Sequence, residues 1–187
     1  MEKKINILGF AGSLRKESYN RSILRAAVEL APEGAEIEIF PLEGIPPFNQ
    51  DLEDPMPEKV KKFKSKVEAA DAILIATPEY NFSIPGVLKN AIDWASRPYG
   101  DNSFKDKPVA IMGASTGMIG TARAQYHLRQ SCVFLDMHPV NTPEVFVASV
   151  NQKIDEGGRL TDEKSRKLIQ DLLHSLVAWT NRLKTRQ

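Results

Sequence analysis

A chain of 187 residues is long enough for one domain with a sizeable hydrophobic core. Apolar residues make up 42% of it and charged residues 26%, an ordinary globular balance, and a formal net charge of +1 offers no global attraction to nucleic acid or anionic lipid. A single cysteine, Cys132, excludes a disulfide framework and a cysteine-based zinc site within one chain.

The opening residues Met1 to Ile5 lead into a short apolar run that stops at a polar loop, which is the pattern of neither a signal peptide nor a spanning helix. No later apolar run reaches spanning length, so the chain is expected in the cytoplasm and off the membrane. Ile5 to Ala11 predicts a strand, and Arg21 to Leu30 predicts a helix. Between them lies Gly12-Ser13-Leu14-Arg15-Lys16-Glu17-Ser18-Tyr19-Asn20. Strand, polar loop and helix together form a place to hold a phosphate, because the first amides of a helix lack intrahelical partners and the helix dipole favours negative charge there. Ser13, Ser18 and Asn20 add neutral donors, and Arg15 adds a cation whose forked donors suit phosphate oxygens. A plain turn would also explain the stretch, with Ser18 or Asn20 only capping the helix. The loop has neither the Gly-Lys-Ser/Thr of an ATPase loop nor a Gly-x-Gly-x-x-Gly dinucleotide pattern.

Ala35 to Phe40 alternates polar and apolar residues, as a strand near a sheet edge does. Pro41 to Pro57, with five prolines, predicts a long irregular connection of the kind that often serves function. Glu58 to Ala70 predicts an amphipathic helix with Val60, Phe63, Val67 and Ala70 inward and its lysines in solvent. Ala72 to Ala76 and Pro108 to Ala114 are continuous apolar runs, the mark of strands covered on both faces. Pro85 opens a helix that runs to about Ser96, Thr121 to Leu135 predicts another, and Asp162 to Leu183 closes the chain as a third. Val140 to Ala148 contains a fifth strand interrupted by Pro143, and Asn151 to Leu160 reads as a polar turn region or small hairpin.

Strands and helices thus alternate, which predicts one domain over residues 1–187, an α/β doubly wound parallel sheet of five strands with helices on both faces. In the order 2-1-3-4-5, the loops Gly12–Asn20, Thr77–Ser83 and Ser115–Gly120 would line one crevice at the switch point where ligands bind. The first suits phosphate. The second offers Tyr80, Asn81 and backbone groups, and the third has Gly117 and Gly120, which let backbone approach a flat ligand. Such a crevice suits a mononucleotide such as FMN, and its organisation alone equally accommodates a nucleoside phosphate or sugar phosphate.

Gly12 to Asn20 resembles the phosphate loop of the NAD(P)H-dependent FMN reductases. Thr77-Pro78-Glu79-Tyr80-Asn81-Phe82-Ser83-Ile84-Pro85-Gly86, continuing to Trp94, is similar to that family's second signature, and Ala124 to Gln130 is similar to a segment of its chromate and quinone reductase branch. The resemblance implies a flavodoxin-like fold with FMN held noncovalently and NADPH or NADH as electron donor. It implies Ser13, Arg15, Ser18, Tyr19 and Asn20 around the phosphate and ribityl chain, and Pro78, Glu79, Tyr80, Asn81, Ser115 and Gly117 around the isoalloxazine ring. It also implies a homodimer or homotetramer, with Asp93, Trp94 and Tyr99 facing a partner subunit.

The implied reaction is a hydride relay from NAD(P)H through bound FMN to small acceptors: quinones, free flavin or oxidised metal ions such as chromate. The cofactor carries that chemistry, so no catalytic side chain and no metal are expected; backbone amides near Asn81 and Ser115 would favour negative charge on the ring. Glu79 reads as a structural carboxylate rather than a catalytic acid. Cys132 reads as a buried inert thiol, and His127, His138 and His174 show no metal spacing. Arg15 is open to three readings, as a ligand of the FMN phosphate, of the NADPH phosphate, or of both in turn. A second class of function, an FMN-binding electron carrier or redox sensor without turnover, has against it the near-zero net charge. A nucleotide or sugar enzyme without flavin is a third.

Overall fold

The computed structural model describes residues 4–185, so the reading of Met1 to Lys3 lies outside the described residues. The strands are β1 (Ile5–Ala11), β2 (Ala35–Ile39), β3 (Ala72–Ala76), β4 (Pro108–Ala114), β5 (His138–Pro139) and β6 (Val145–Val147). The α-helices are α1 (Tyr19–Glu29), α2 (Glu58–Ala69), α3 (Gly86–Ala95), α4 (Ala122–Phe134) and α5 (Glu163–Lys184). All strand pairs in the sheet are parallel and run in the order β2-β1-β3-β4-β5, with β6 also on β4. This is the expected doubly wound order.

Alternate strand residues divide between two cores, as the two-residue strand period requires. Ile7, Leu74 and Met112 face α1 and α5 and join Ile23, Leu24, Leu172 and Leu176. Leu8, Phe10, Ile73, Ile75 and Ile111 face the other helices and join Phe63, Leu88, Ile92 and Leu128. Each fully buried residue of this size contributes roughly 1.5–3 kcal/mol relative to exposure. β2 keeps the half-covered pattern of an edge, as its alternation predicts.

Four details depart from the sequence reading. The fifth strand is two short pieces on one edge of β4: His138–Pro139 beside Pro108 and Val109, and Val145–Val147 beside Met112 to Ala114. The stretch between them carries Pro143, which has no N–H to give a ladder. Second, Lys64 is not on the solvated face of α2: it is 6% exposed, and its ammonium donates to the carbonyls of Ala95 (3.3 Å) and Asp101 (2.9 Å). Third, Trp94 does not face outward. It is fully buried, and its indole N–H donates to the Pro46 carbonyl (2.8 Å). Asn90 binds the same carbonyl (2.9 Å) and accepts from the Phe48 amide (2.7 Å), so α3 pins the proline-rich connection to the protein. Fourth, the region from Asn151 to Leu160 holds a 3-10 turn at Val150–Gln152 and a single antiparallel bridge, Ile154 to Leu160, rather than a full hairpin.

Candidate functional site

The first loop leaves β1 beside the second. The Gly12 amide donates to the Ala76 carbonyl (2.9 Å), continuing the parallel ladder beyond the strand. Ser18 is the N-cap of α1, its hydroxyl accepting from the Arg21 amide (3.4 Å), so the helix starts two residues earlier than its apolar period suggests. Ser13 and Ser18 are both 4% exposed, whereas Arg15 stands in solvent with its guanidinium donating to the Glu17 carbonyl (3.0 Å) and 5.7 Å from the centre of the Tyr19 ring. Arg21, which the sequence reading passed over, donates from Nε to the Ser13 carbonyl (3.2 Å) and pairs with Glu43, fixing the loop's far side.

Asn20 has a different task from the one expected of it. It is 3% exposed, its amide nitrogen donates to the Ala114 carbonyl and its oxygen accepts from the Ala114 amide, both at 3.0 Å. The side chain therefore bolts the start of α1 to the end of β4, across the switch point.

The second loop begins with Thr77 and Pro78, both buried, and turns at Asn81 and Phe82. Tyr80 and Ser83 exchange two backbone hydrogen bonds (3.1 and 3.0 Å) around that turn, and Asn81 and Phe82 both have positive φ (51° and 63°). This is a two-residue hairpin of the primed type, which demands left-handed backbone at both central residues. Asparagine tolerates that conformation and phenylalanine does not adopt it readily. The Asn81 and Phe82 amides lie outside the hairpin's own two bonds. Glu79 is turned away from solvent: its carboxylate accepts from the Arg123 and Ala124 amides (3.0 and 3.3 Å) at the start of α4.

The third loop is closed from a direction the sequence did not reveal. The Ser115 amide donates to the Val147 carbonyl (3.0 Å), and the Ser115 and Gly117 carbonyls accept from the Val150 (3.1 Å) and Ser149 (3.2 Å) amides. The Ser115 amide is thus already engaged, while Thr116 and Gly117 beside it are exposed. Gly120, at φ 69°, lets this loop turn against the Phe146 backbone. Gly113 allows the closest approach: a Cβ there would overlap Thr121 Oγ1 and lie 2.5 Å from the Thr77 carbonyl oxygen. Gly120 stands out in the sequence as part of the third loop, whereas Gly113 does not, because its crowding comes from the Thr77 carbonyl and the start of α4.

The three loops therefore meet, at the carboxyl ends of β1, β3 and β4. One side offers two buried serine hydroxyls, a guanidinium and the first amides of α1, a donor set that fits a phosphate. The other offers hairpin and turn amides for a polar ring edge. Leu14 (50% exposed), Tyr80 (49%), Phe82 (65%), Met118 (90%) and Ile119 (52%) are exposed apolar side chains on these loops. Among the described residues, no cluster of three or more His, Cys, Asp or Glu could hold a metal ion. Cys132 is buried on the inner face of α4, where loss of water pushes its thiol up to about 11, so it stays protonated near neutral pH.

A sheet of this order, with a phosphate-type loop at its switch point, defines the flavodoxin-like class. A family model described as NADPH-dependent FMN reductase matches residues 5–152. The chain is 52% identical to an NAD(P)H-dependent FMN reductase of Pseudomonas aeruginosa, over 98% of this chain and 100% of that one. It is 42% identical to a 2-hydroxy-1,4-benzoquinone reductase of a Burkholderia species, over 94% of this chain and 96% of that one. Among solved structures it is similar to FerB of Paracoccus denitrificans, a flavoenzyme NAD(P)H:(acceptor) oxidoreductase, with a TM-score of 0.88 and 38% identity over 95% of this chain and 98% of that one. The chain belongs to the NADPH-dependent FMN reductase family. It is an oxidoreductase with FMN as cofactor and NAD(P)H as donor, and the donor set of the first loop fits the FMN phosphate.

Proposed function

We propose that this enzyme passes electrons from NAD(P)H to quinones, with the FMN phosphate in the first loop and the ring between the second and third. In this reading Ser13, Arg15, Ser18 and the first amides of α1 hold the phosphate, with Tyr19 beside them. Pro78, Tyr80, Asn81 and Gly117 flank the ring, while Glu79, Asn20 and Ser115 act behind them through the contacts described above. Bound FMN supplies the hydride chemistry. The chain's residues bind and orient it, and the Asn81 and Phe82 amides favour negative charge at the ring edge.

The observation that carries the choice of quinone is the exposed apolar surface of the loops. Five apolar side chains, Leu14, Tyr80, Phe82, Met118 and Ile119, are exposed on the three loops that meet at the crevice, and in this reading they gain free energy by covering a flat apolar acceptor. They offer little to hydrated chromate or to a ferric chelate. The quinone reductase among the relatives supports the same class. A homo-oligomer belongs to this reading: Val133 and Phe134, 82% and 79% exposed on α4, and Tyr99, 80% exposed, leave apolar surface that a second copy would cover. No helix among the described residues is long and apolar enough to cross a membrane. The cytoplasm, with its pools of NAD(P)H and FMN, is the compartment we propose.

Steady-state oxidation of NADPH and NADH by the FMN-loaded protein, with benzoquinones, free FMN, chromate and ferric chelates as acceptors, tests the reading. Benzoquinones are expected to give the highest kcat/KM. Turnover with chromate or ferric chelates well above that with every quinone would refute the choice of acceptor, and no turnover with any acceptor would leave only the electron carrier.

A further inference from the structure

We propose that Glu79 is a positioning residue: it clamps the second loop to the start of α4 and so sets the Asn81–Phe82 turn against the flavin. The inference rests on the FMN reading above and assigns Glu79 no contact with the reacting atoms.

The start of α4 is capped from outside its own segment. Its N-cap residue, Thr121, makes no side-chain cap bond; its hydroxyl instead accepts from the Gln125 side-chain Nε2 (3.1 Å). A helix start without a cap leaves amides unsatisfied. Glu79, more than forty residues earlier, fills the place: Oε2 accepts from the Arg123 and Ala124 amides at 3.0 and 3.3 Å. Its charge also sits where the helix dipole favours an anion. Oε1 lies 2.8 Å from Arg123 Nε, and the Glu79 side chain is only 11% exposed.

The same face of α4 grips the rest of the hairpin. The Arg123 guanidinium lies 3.8 Å from the centre of the Phe82 ring. One turn further along, His127 Nδ1 is 3.0 Å from Ser83 Oγ. The start, tip and end of the hairpin are therefore each tied to α4. This accounts for how a non-glycine pair can hold left-handed backbone at both turn positions: the conformation persists because the surroundings over-determine it. The amides proposed to face the ring belong to that turn. Their direction is set by α4 through Glu79 and Arg123, and α4 in turn follows the third loop, so two walls of the crevice move together.

Three variants test this. Glu79→Ala is expected to raise the Kd for FMN about five- to tenfold, the scale of a lost helix cap. It should also move the flavin midpoint potential to more negative values, because loosened amides favour the reduced ring less. Glu79→Gln keeps an acceptor for the two amides and should recover most of both. Asn102→Ala removes a similar pair of side-chain-to-backbone bonds, to Leu135 and Phe104, before β4 at the opposite end of the sheet. It should lose stability without changing the Kd or the potential. If Glu79→Ala fails to fold, the double variant Arg123→Met, His127→Ala leaves the cap bonds in place and should shift the potential in the same direction. A folded Glu79→Ala with wild-type Kd and potential, or equal changes in Asn102→Ala, would overturn the inference. A wild-type protein that takes up no FMN would instead overturn the reading beneath it.

Discussion

Gly113→Ala is expected to lower stability by about 3 kcal/mol, near the upper end for overpacking a close-packed interior, and to abolish most FMN uptake. The added methyl group has no room. It would overlap Thr121 Oγ1, and it would lie 2.5 Å from the Thr77 carbonyl oxygen, which is backbone and cannot rotate away. Relief requires β4 to part from the second loop or from the start of α4. Either movement opens the crevice on the side where the ring is proposed to lie. For a chain of this size the melting temperature should fall by about 6–12 °C. Adding Thr121→Ala should restore little, because the Thr77 carbonyl remains in place. A Gly113→Ala protein that melts and binds FMN like wild type would show that the three loops are not packed as described.

The second large effect is expected at Asn20. Asn20→Leu removes both bonds to Ala114 and leaves a buried N–H and a buried carbonyl without partners. At about 1–3 kcal/mol for each such group, a loss of about 3 kcal/mol follows. Asn20→Asp should be nearly as damaging, since a carboxylate keeps the acceptor but faces the Ala114 carbonyl without a proton to give. FMN affinity should fall with stability in both, because the helix that presents Ser18 and the strand that leads to Ser115 are joined by this one side chain. A melting curve of Asn20→Asp indistinguishable from wild type would return Asn20 to the phosphate, the role its place in the loop first suggests.

That contrast shows what a sequence carries and what it does not. The sheet order was legible because β1, β3 and β4 are continuous apolar runs while β2 alternates, and because each polar loop follows a strand end. The crevice was legible for the same reason. The partners of the polar side chains were not. Asn20 looks like a phosphate ligand or a cap, and only Ala114, 94 residues away, gives it another use. Lys64 looks like its neighbouring lysines until Ala95 and Asp101 supply acceptors. Trp94 looks like an interface residue until the proline-rich connection folds back and offers the Pro46 carbonyl. Glu79 reads as structural, but its partners at the start of α4 depend on how two loops meet. The split of the last strand was half visible: Pro143 marks the break, yet His138 and Pro139 gave no strand signal, since a two-residue strand is too short to show a period.

The central claim is that bound FMN is the station between NAD(P)H and a quinone. Anaerobic rapid mixing of the yellow, FMN-loaded protein tests it most directly, first with NADPH or NADH and then with 1,4-benzoquinone. The account predicts that the flavin absorbance bleaches on the first mixing, returns on the second, and does both at least as fast as steady-state turnover. Absorbance that a pyridine nucleotide cannot bleach, or that stays bleached in the presence of the quinone, would contradict it.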